Sequence, residues 1–507
     1  MYKNMKKIFK WLGVFLIICF GLSVLLLTVG VNMPLTHYLQ KEQIDSKLLI
    51  KNCHVVDVKN GTILSNQNIR IENGRILTID SVSSSSVTGF TVIDGSGKYV
   101  VPGLWDMHLH TLSLSPQLHF PLLIANGVTN VRDMGDGDSW ISDIDAPLVK
   151  DKNIWDKQFN EQNLLMPRVW ESCSYHVEEI DGITGQNIQE KVRELVTKLK
   201  KRSEPFVKLQ LEDSELPAPV FYEIQKQAQL QGFRALGHLS YNVDITTVLK
   251  NGYPSIEHAW ALIPHCVSEK KRFDKDLETK TYELAHQDTA LTTAILKKIA
   301  AAHTYYVPTH VASNRKEALV FDEQFRQDSR NRYIERTQLR LWELWATLHT
   351  SGYDEPAQQE TLRKYYQRGL EITRLAHQNG VKILAGTDAL DRYVYHGFSL
   401  HDELMEMTKA GLTPTEVLRT ATLHAAEYYH QTNDYGSVEP GKKADLLLLD
   451  SNPLEKTTNT RAIHAVYFNQ RLYNRNDLVQ MKYFVHKKAK SFGISCKFIW
   501  NMIKGVS

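Results

Sequence analysis

The sequence predicts an α/β protein: a (β/α)8 barrel, a small β-sandwich built from both chain ends, and a transmembrane helix at the N-terminus. Three observations lead there. Between residues 103 and 435 short apolar runs alternate with helical stretches, a pattern that gives a parallel sheet and, at eight repeats, a closed barrel. Segments rich in β-formers bracket that region at 47–102 and 436–475. Residues 12–31 are apolar and uncharged, and the four lysines ahead of them, Lys3, Lys6, Lys7 and Lys10, are accompanied by no acid.

Roughly 20 apolar residues match the hydrocarbon thickness of a bilayer as a helix. A cleaved signal would have a shorter apolar region and a small-residue cleavage site, and none follows here. Cys19 sits in mid-span after Ile18, a poor context for a lipid anchor. Residues 1–46 are therefore read as an uncleaved anchor with a linker, and the leading lysines place the rest of the chain outside the cytoplasm. Residues 47–102 form the first part of the sandwich, with "LLIKNCHVVDV" and the alternating runs of "GTILSNQNIRIENGRILTID" as strands and the serine-rich run at 82–87 as a loop.

The barrel strands are expected to end at His110 and to include "GVTNVRDM", "RVWESC", "FVKLQL", "RALGHL", "SIEHAW", "YYVPTH" and "VKILAGTDA". The polar stretch 311–370 reads as mostly helical and is longer than a barrel connection needs, so it is expected to add helices near the site. Residues 436–475 return to β character and can pair with 47–102, since domain termini commonly lie close together. The basic tail 476–507 mixes lysines with Tyr483, Phe484, Phe492, Phe498 and Trp500, which suits either an interfacial helix or a helix packed on the main body.

The 507 residues carry a net charge of only +3, which argues against nucleic acid as a partner and leaves a small-molecule substrate. The 5 cysteines are far apart with no CxxC pair, so a thiolate metal site or a dense disulfide frame is not expected, although one disulfide stays open from spacing alone. Oligomeric state is not legible.

The 20 histidines carry more information, because several end apolar runs. His108 and His110 are two apart on a strand, so both rings share one face and can grip one metal ion. Lys208 lies inside the apolar run "FVKLQL", where a charge is costly. Burial eases loss of its proton, and a neutral amine can capture carbon dioxide to form a carbamate that bridges two cations. An internal ion pair with Glu212 or Asp213 is the other reading, and the residues leave both open. His238 and His258 each follow a short apolar run, where barrel enzymes place their chemistry, and Glu257 is expected to point away from the centre in a supporting role. Asp388, after "ILAGT", can ligate a metal and take a proton from water, or serve as a helix cap.

With these residues in this order, the chain from about 47 to 473 resembles the amidohydrolase superfamily, most specifically at "VPGLWDMHLHT", "GVTNVRDMG", "SIEHAW", "GTDA", "AGLTPTEVLRTATLHAA" and "GSVEPGKKADLLLLD". The resemblance implies a distorted TIM-like barrel with a sandwich from both chain ends. It implies two divalent metal ions, zinc first, with manganese, cobalt or iron also compatible. His108 and His110 would hold the deeper ion, Lys208 as a carbamate would bridge the pair, and His238 and His258 would hold the outer ion. Asp388 would be both ligand and general base toward a hydroxide held between the ions. Within the superfamily the chain is similar to the binuclear Xaa-Pro-dipeptidase-like and imidazolonepropionase-related hydrolases, which implies cleavage of a C–N amide bond in a dipeptide or N-acyl amino acid.

One departure concerns the segment after the third strand, where that group usually carries a glycine-rich stretch ending in histidine. Here it reads "HVEEIDGITGQN", so contacts to a dipeptide carboxylate are in doubt. His176, Tyr241 and His310 are the candidate substrate contacts. Rival readings are a lactonase or phosphoesterase on the same two metals, a mononuclear deaminase, and a non-catalytic binding module. Against the deaminase, His238 is followed by Leu239, Ser240 and Tyr241 with no acid, and Lys208 would have no purpose. Against the binding module stands the complete ligand set.

Overall fold

A computed structural model describes residues 2–81, 88–136, 148–161, 164–173, 176–177, 180, 183, 185–210 and 216–506. The serine-rich run at 82–87 and the residues Glu212 and Asp213 lie outside that set, as do Glu178, Glu179, Asp181, Gly182 and Thr184 of "HVEEIDGITGQN".

The chain opens with helix α1 (Tyr2–Asn32). Its stretch Val14–Asn32 is long and apolar enough to cross a membrane, and is the one such stretch among the described residues. Strands β1 (Lys47–Asp57), β2 (Thr62–Glu72), β3 (Arg75–Asp80), β4 (Thr91–Asp94) and β5 (Tyr99–Pro102) follow. The last strands of the chain are β14 (Leu446–Leu449), β15 (Ile463–Phe468) and β16 (Arg471–Asn474). These two groups do pair, as expected. They form one eight-stranded sheet in the order β16-β15-β14-β5-β1-β2-β3, with β4 beside β1. The junction is a direct ladder, Leu446↔Pro102 to Leu449↔Tyr99, so hydrogen bonds join the chain ends, and their apolar faces pack together as well. The run "LLLL" in β14 is apolar on both faces for this reason. Leu446 and Leu448 enter a cluster with Leu48, Ile50, Ile69, Ile71 and Tyr467, while Leu447 and Leu449 turn to the main core.

The parallel strands come between. β6 (Leu104–Thr111), β7 (Val128–Asp136) and β8 (Arg168–Ser172) form one three-stranded sheet. β9 (His176–Val177), β10 (Val207–Leu209), β11 (Ala235–Gly237), β12 (Ser255–Glu257) and β13 (Tyr305–Val307) form a five-stranded one. The segment "KILAGTDA", expected as a strand, lies between the two sheets. The Tyr306 amide donates to Lys382 O at 3.0 Å and the Leu384 amide to Tyr306 O at 2.9 Å. On its other side the Met107 amide donates to Ala385 O at 2.8 Å and the His110 amide to Ala389 O at 2.9 Å. No ladder joins β8 to β9 among the described residues. β10, β11 and β12 are three residues each and buried on both faces, as strands under helical cover are.

The stretch 311–370 is helical, as expected, and includes α2 (Ser313–Leu319), α3 (Arg336–Gly352) and the start of α4 (Pro356–Gln378). The chain ends in α5 (Arg475–Lys488) and α6 (Phe492–Val506). α5 buries Leu478, Met481 and Val485 against the body, so half of the basic tail is a packing helix. All five cysteines are free.

Candidate active site

The side chains singled out in the sequence come from the C-terminal ends of different strands. His108 and His110 project from the end of β6, Lys208 from β10, and His238 and His258 from the residues just after β11 and β12. Asp388 follows the segment that lies between β13 and β6. Donor atoms of His108, His258 and Asp388 all lie within 4.8 Å of one another. Asp388 Oδ1 is 2.9 Å from His110 Nε2 and 3.4 Å from His108 Nε2, and its Oδ2 is 3.8 Å from His258 Nδ1. The His238 ring packs edge-on against His258, centroids 4.5 Å apart.

Two local features of the backbone make this convergence. Asp388 has φ 59° and His258 φ 68°, left-handed values that turn the chain inward at the ends of their strands. Gly386 allows a close approach beside them: a Cβ there would sit 2.6 Å from Val307 Cγ1 and 2.7 Å from His108 Cβ. Gly386→Ala is therefore expected to destabilise the protein by about 1–3 kcal/mol and to displace His108. A melting temperature equal to wild type would contradict this.

The electrostatics fit cations. Burial pushes the His258 imidazole down to about 3 and the His238 imidazole well below its usual value, so both present neutral rings with lone pairs. The Asp388 carboxyl, although burial opposes its charge, is held well below the carboxylate range by the rings of His108, His110 and His258. The buried Nε2 of His108 makes no hydrogen bond, a costly state that coordination would relieve. Lys208 is 1% exposed. Burial lowers its pKa, against the pull of Asp388 and Glu257. Its alternative partners Glu212 and Asp213 fall outside the described residues. This donor set of imidazole nitrogens, a carboxylate and a deprotonatable lysine fits divalent metal ions.

Glu257 departs from expectation. It does not point away from the centre: its Oε2 is 2.7 Å from His108 Nδ1, and its Oε1 accepts from Arg132 Nη2 at 2.8 Å and from the Ser255 hydroxyl. The positive φ at His258 breaks the strand alternation, so two consecutive side chains both face inward. Burial opposes charge on Glu257, but Arg132 and His108 outweigh it and hold the carboxyl at about 2. Arg132 also bonds Met107 O at 2.6 Å and Tyr428 Oη at 3.1 Å. The only sequence signal for Arg132 is an arginine within the predicted strand "GVTNVRDM". Trp260, not singled out in the sequence, stacks on His258 at 5.4 Å, and Thr309 Oγ1 shares a 2.7 Å hydrogen bond with His258 Nδ1.

A cavity of about 710 Å³ opens over these residues, with His110, His258 and Asp388 at its floor and Tyr241, Trp260 and Leu390 among its walls. The helices of 311–370 wall it too, through Lys316 and Glu317 of α2 and Trp345 and His349 of α3. Its two lysines are paired, Lys280 with Asp276 (2.6 Å) and Glu317 (2.8 Å), and Lys316 with Asp391, while Arg272 and Arg392 also line it. Of the candidate substrate contacts, Tyr241 lines the cavity. His310 does not. It is buried, and its Nε2 bonds Thr373 Oγ1 at 2.8 Å, which corrects the expectation of a substrate contact there. The His176 backbone pairs with Lys208, and its side chain lies outside the described part of the structure.

Residues 99–473 match the model of the amidohydrolase family, and the chain belongs to that family. Among solved structures, a bottromycin amidohydrolase matches with TM-score 0.67 at 20% identity, covering 92% of this chain and 93% of the other. A putative prolidase from Bifidobacterium longum matches with TM-score 0.60 at 21% identity, covering 87% and 100%. A Xaa-Pro dipeptidase with bound methionine matches with TM-score 0.59 at 19% identity, covering 85% and 100%. At these identities the likeness speaks for the fold. Curated relatives align over short stretches. Adenine deaminase 2 of Latilactobacillus sakei is 36% identical over 85 residues, which is 16% of this chain and 14% of that protein. A dihydroorotase of Trichlorobacter lovleyi is 46% identical over 63 residues, 12% of this chain and 14% of that protein.

Proposed function

We propose that this chain is a metal-dependent hydrolase that cleaves a C–N amide bond in a dipeptide or N-acyl amino acid. The observation that carries the reading is a buried Lys208, its pKa lowered by burial and in the electrostatic reach of Asp388, together with the convergence of His108, His258 and Asp388. His108, His110, Lys208 as its carbamate, His238, His258 and Asp388 would hold two divalent ions, zinc suiting the mixed nitrogen and oxygen donors. Such ions supply Lewis acidity toward a carbonyl and lower the pKa of water to roughly 7. The residues do the rest. Asp388 Oδ1 or Oδ2 accepts the proton of the attacking water and delivers it to the departing amine nitrogen. Glu257 fixes the tautomer and plane of His108 from behind. Trp260 holds the His258 ring and, with Tyr241, forms a wall against which a substrate lies.

The same reading takes the two parallel sheets and the segment 382–389 as a closed (β/α)8 barrel over 103–435, with the mixed sheet at 47–102 and 436–475 as its companion. It takes α1 with residues 33–46 as an uncleaved anchor and 476–507 as a C-terminal appendage, the catalytic body lying outside the cytoplasm.

The short match to adenine deaminases favours a second reading, release of ammonia from an amino-substituted ring. One assay separates them. The full chain, purified in detergent with zinc and bicarbonate, is offered Xaa-Pro dipeptides, N-acyl amino acids and adenine. The expected result is free amino acid from the amides, abolished by a chelator and restored by zinc. Ammonia from adenine with no amide cleavage would overturn the amide reading in favour of the deaminase.

A further inference from the structure

α6 connects two places that are far apart in sequence. On one side it packs on α1: a Cβ on Gly30 would lie 2.3 Å from Cys496 Sγ, one on Gly493 would lie 3.2 Å from Met33 Cβ, and Lys497 Nζ bonds Val31 O. Those α1 residues belong to, or directly follow, the last turn of the apolar stretch Val14–Asn32. On the other side α6 braces the cavity mouth. Ile494 and Phe498 form an apolar cluster with Leu112, Leu114 and Leu118, in the segment that follows His110, and Leu390, a cavity-wall residue, packs against it. Asn501 Nδ2 donates to Ser113 Oγ at 2.6 Å, and Ser495 Oγ donates at 2.5 Å to Glu335, the cap of α3, whose Trp345 lines the cavity.

The remaining face of α6 is apolar and uncovered. Phe492 is 49% and Ile503 46% exposed, with Ile499, Trp500 and Met502 exposed between them. Lys487, Lys488 and Lys490 lie just ahead of α6, and Lys497 and Lys504 lie within it. An apolar stripe with an aromatic residue and flanking lysines suits the boundary between acyl chains and anionic headgroups. The depth agrees, because α6 meets α1 over the last turns of its apolar stretch, from Leu26 to Met33, where a spanning helix nears the edge of the hydrocarbon.

We propose that α6 lies in the headgroup layer and holds the cavity mouth at the lipid surface, so that the substrate is an amphiphilic amide, an N-acyl compound whose chain stays in the membrane while its amide enters the cavity. The substrate half rests on the amide-hydrolase reading above; the placement of α6 does not. The cavity wall is lined mostly by charged and polar side chains, with Leu239, Trp260 and Leu390 in its apolar part, which suits entry of the polar amide head while the chain stays outside.

The test uses the full chain in vesicles of phosphatidylcholine with phosphatidylglycerol. In a Cys19→Ser background, Ile503→Cys and Leu230→Cys each carry a nitroxide label. Leu230 is 70% exposed at the end of the helix that leads into β11, away from the strand ends that carry the site. At 503 collisions with oxygen should exceed those with an aqueous nickel chelate several-fold, and the order should reverse at 230. Equal chelate access at both positions would overturn the proposal. Shielding of 503 from both reagents would overturn it as well, since a protein partner or second copy would then cover the face.

In the same vesicles kcat/KM should be at least tenfold higher for a palmitoyl than for an acetyl amino acid. Equal values would remove the substrate half. Turnover of neither would end the amide reading and the substrate class with it, while the collision data still decide where α6 lies.

Discussion

Asp388→Asn should fold, keep its metal and lose turnover by a factor of about 10²–10⁴, the range lost when a positioned acid–base group is removed. The substitution suits the site structurally, since asparagine tolerates the left-handed conformation at φ 59° and keeps one oxygen to face His110 and His108. It cannot take up the proton of water or return it to an amine. The loss should therefore fall on kcat rather than KM. Steady-state kinetics alongside metal analysis check this, and turnover within tenfold of wild type would remove Asp388 from its assigned role.

Glu257→Gln is expected to weaken metal binding by roughly 10–100-fold although Glu257 is not among the proposed ligands. The carboxylate serves His108 on one oxygen and Arg132 with Ser255 on the other. A glutamine has one acceptor oxygen, so either His108 loses its orienting partner or Arg132 is left buried without a counter-charge. Removal of one member of such a buried pair typically costs about 3–5 kcal/mol. Chelator competition reads the first effect and urea unfolding the second. Unchanged metal affinity would mean that His108 is held by its strand alone.

What the sequence made legible follows from simple periodicities. That His108 and His110 share a face needed only strand alternation, and the placing of Lys208, His238, His258 and Asp388 on or just after apolar runs needed only the run pattern, whereas their roles came from the family resemblance and stay proposals. Glu257 was misplaced because that same alternation fails at His258, where a positive φ lets neighbouring side chains share a face; no composition signal announces such a turn. The pairing of the two end segments was legible because both alternate apolar β-formers, but the edge ladder that joins them was not, since stacking and edge pairing leave the same pattern. His310 looked like its fellow histidines, ending the run "YYVPTH", but Thr373 of α4 binds its ring, and a contact between residues 63 apart leaves no local trace. The tail's two roles, packing for α5 and an uncovered stripe for α6, were inseparable by composition because both carry lysines and aromatics.

The central claim is that Lys208 joins the histidines and Asp388 in holding a pair of ions. Metal per chain, measured on the full chain purified with zinc and bicarbonate, tests it most directly. The predicted value is about two for the wild type, falling to one or below in Lys208→Met. A wild-type value near one, unchanged in Lys208→Met, would make Lys208 a structural lysine and contradict the account.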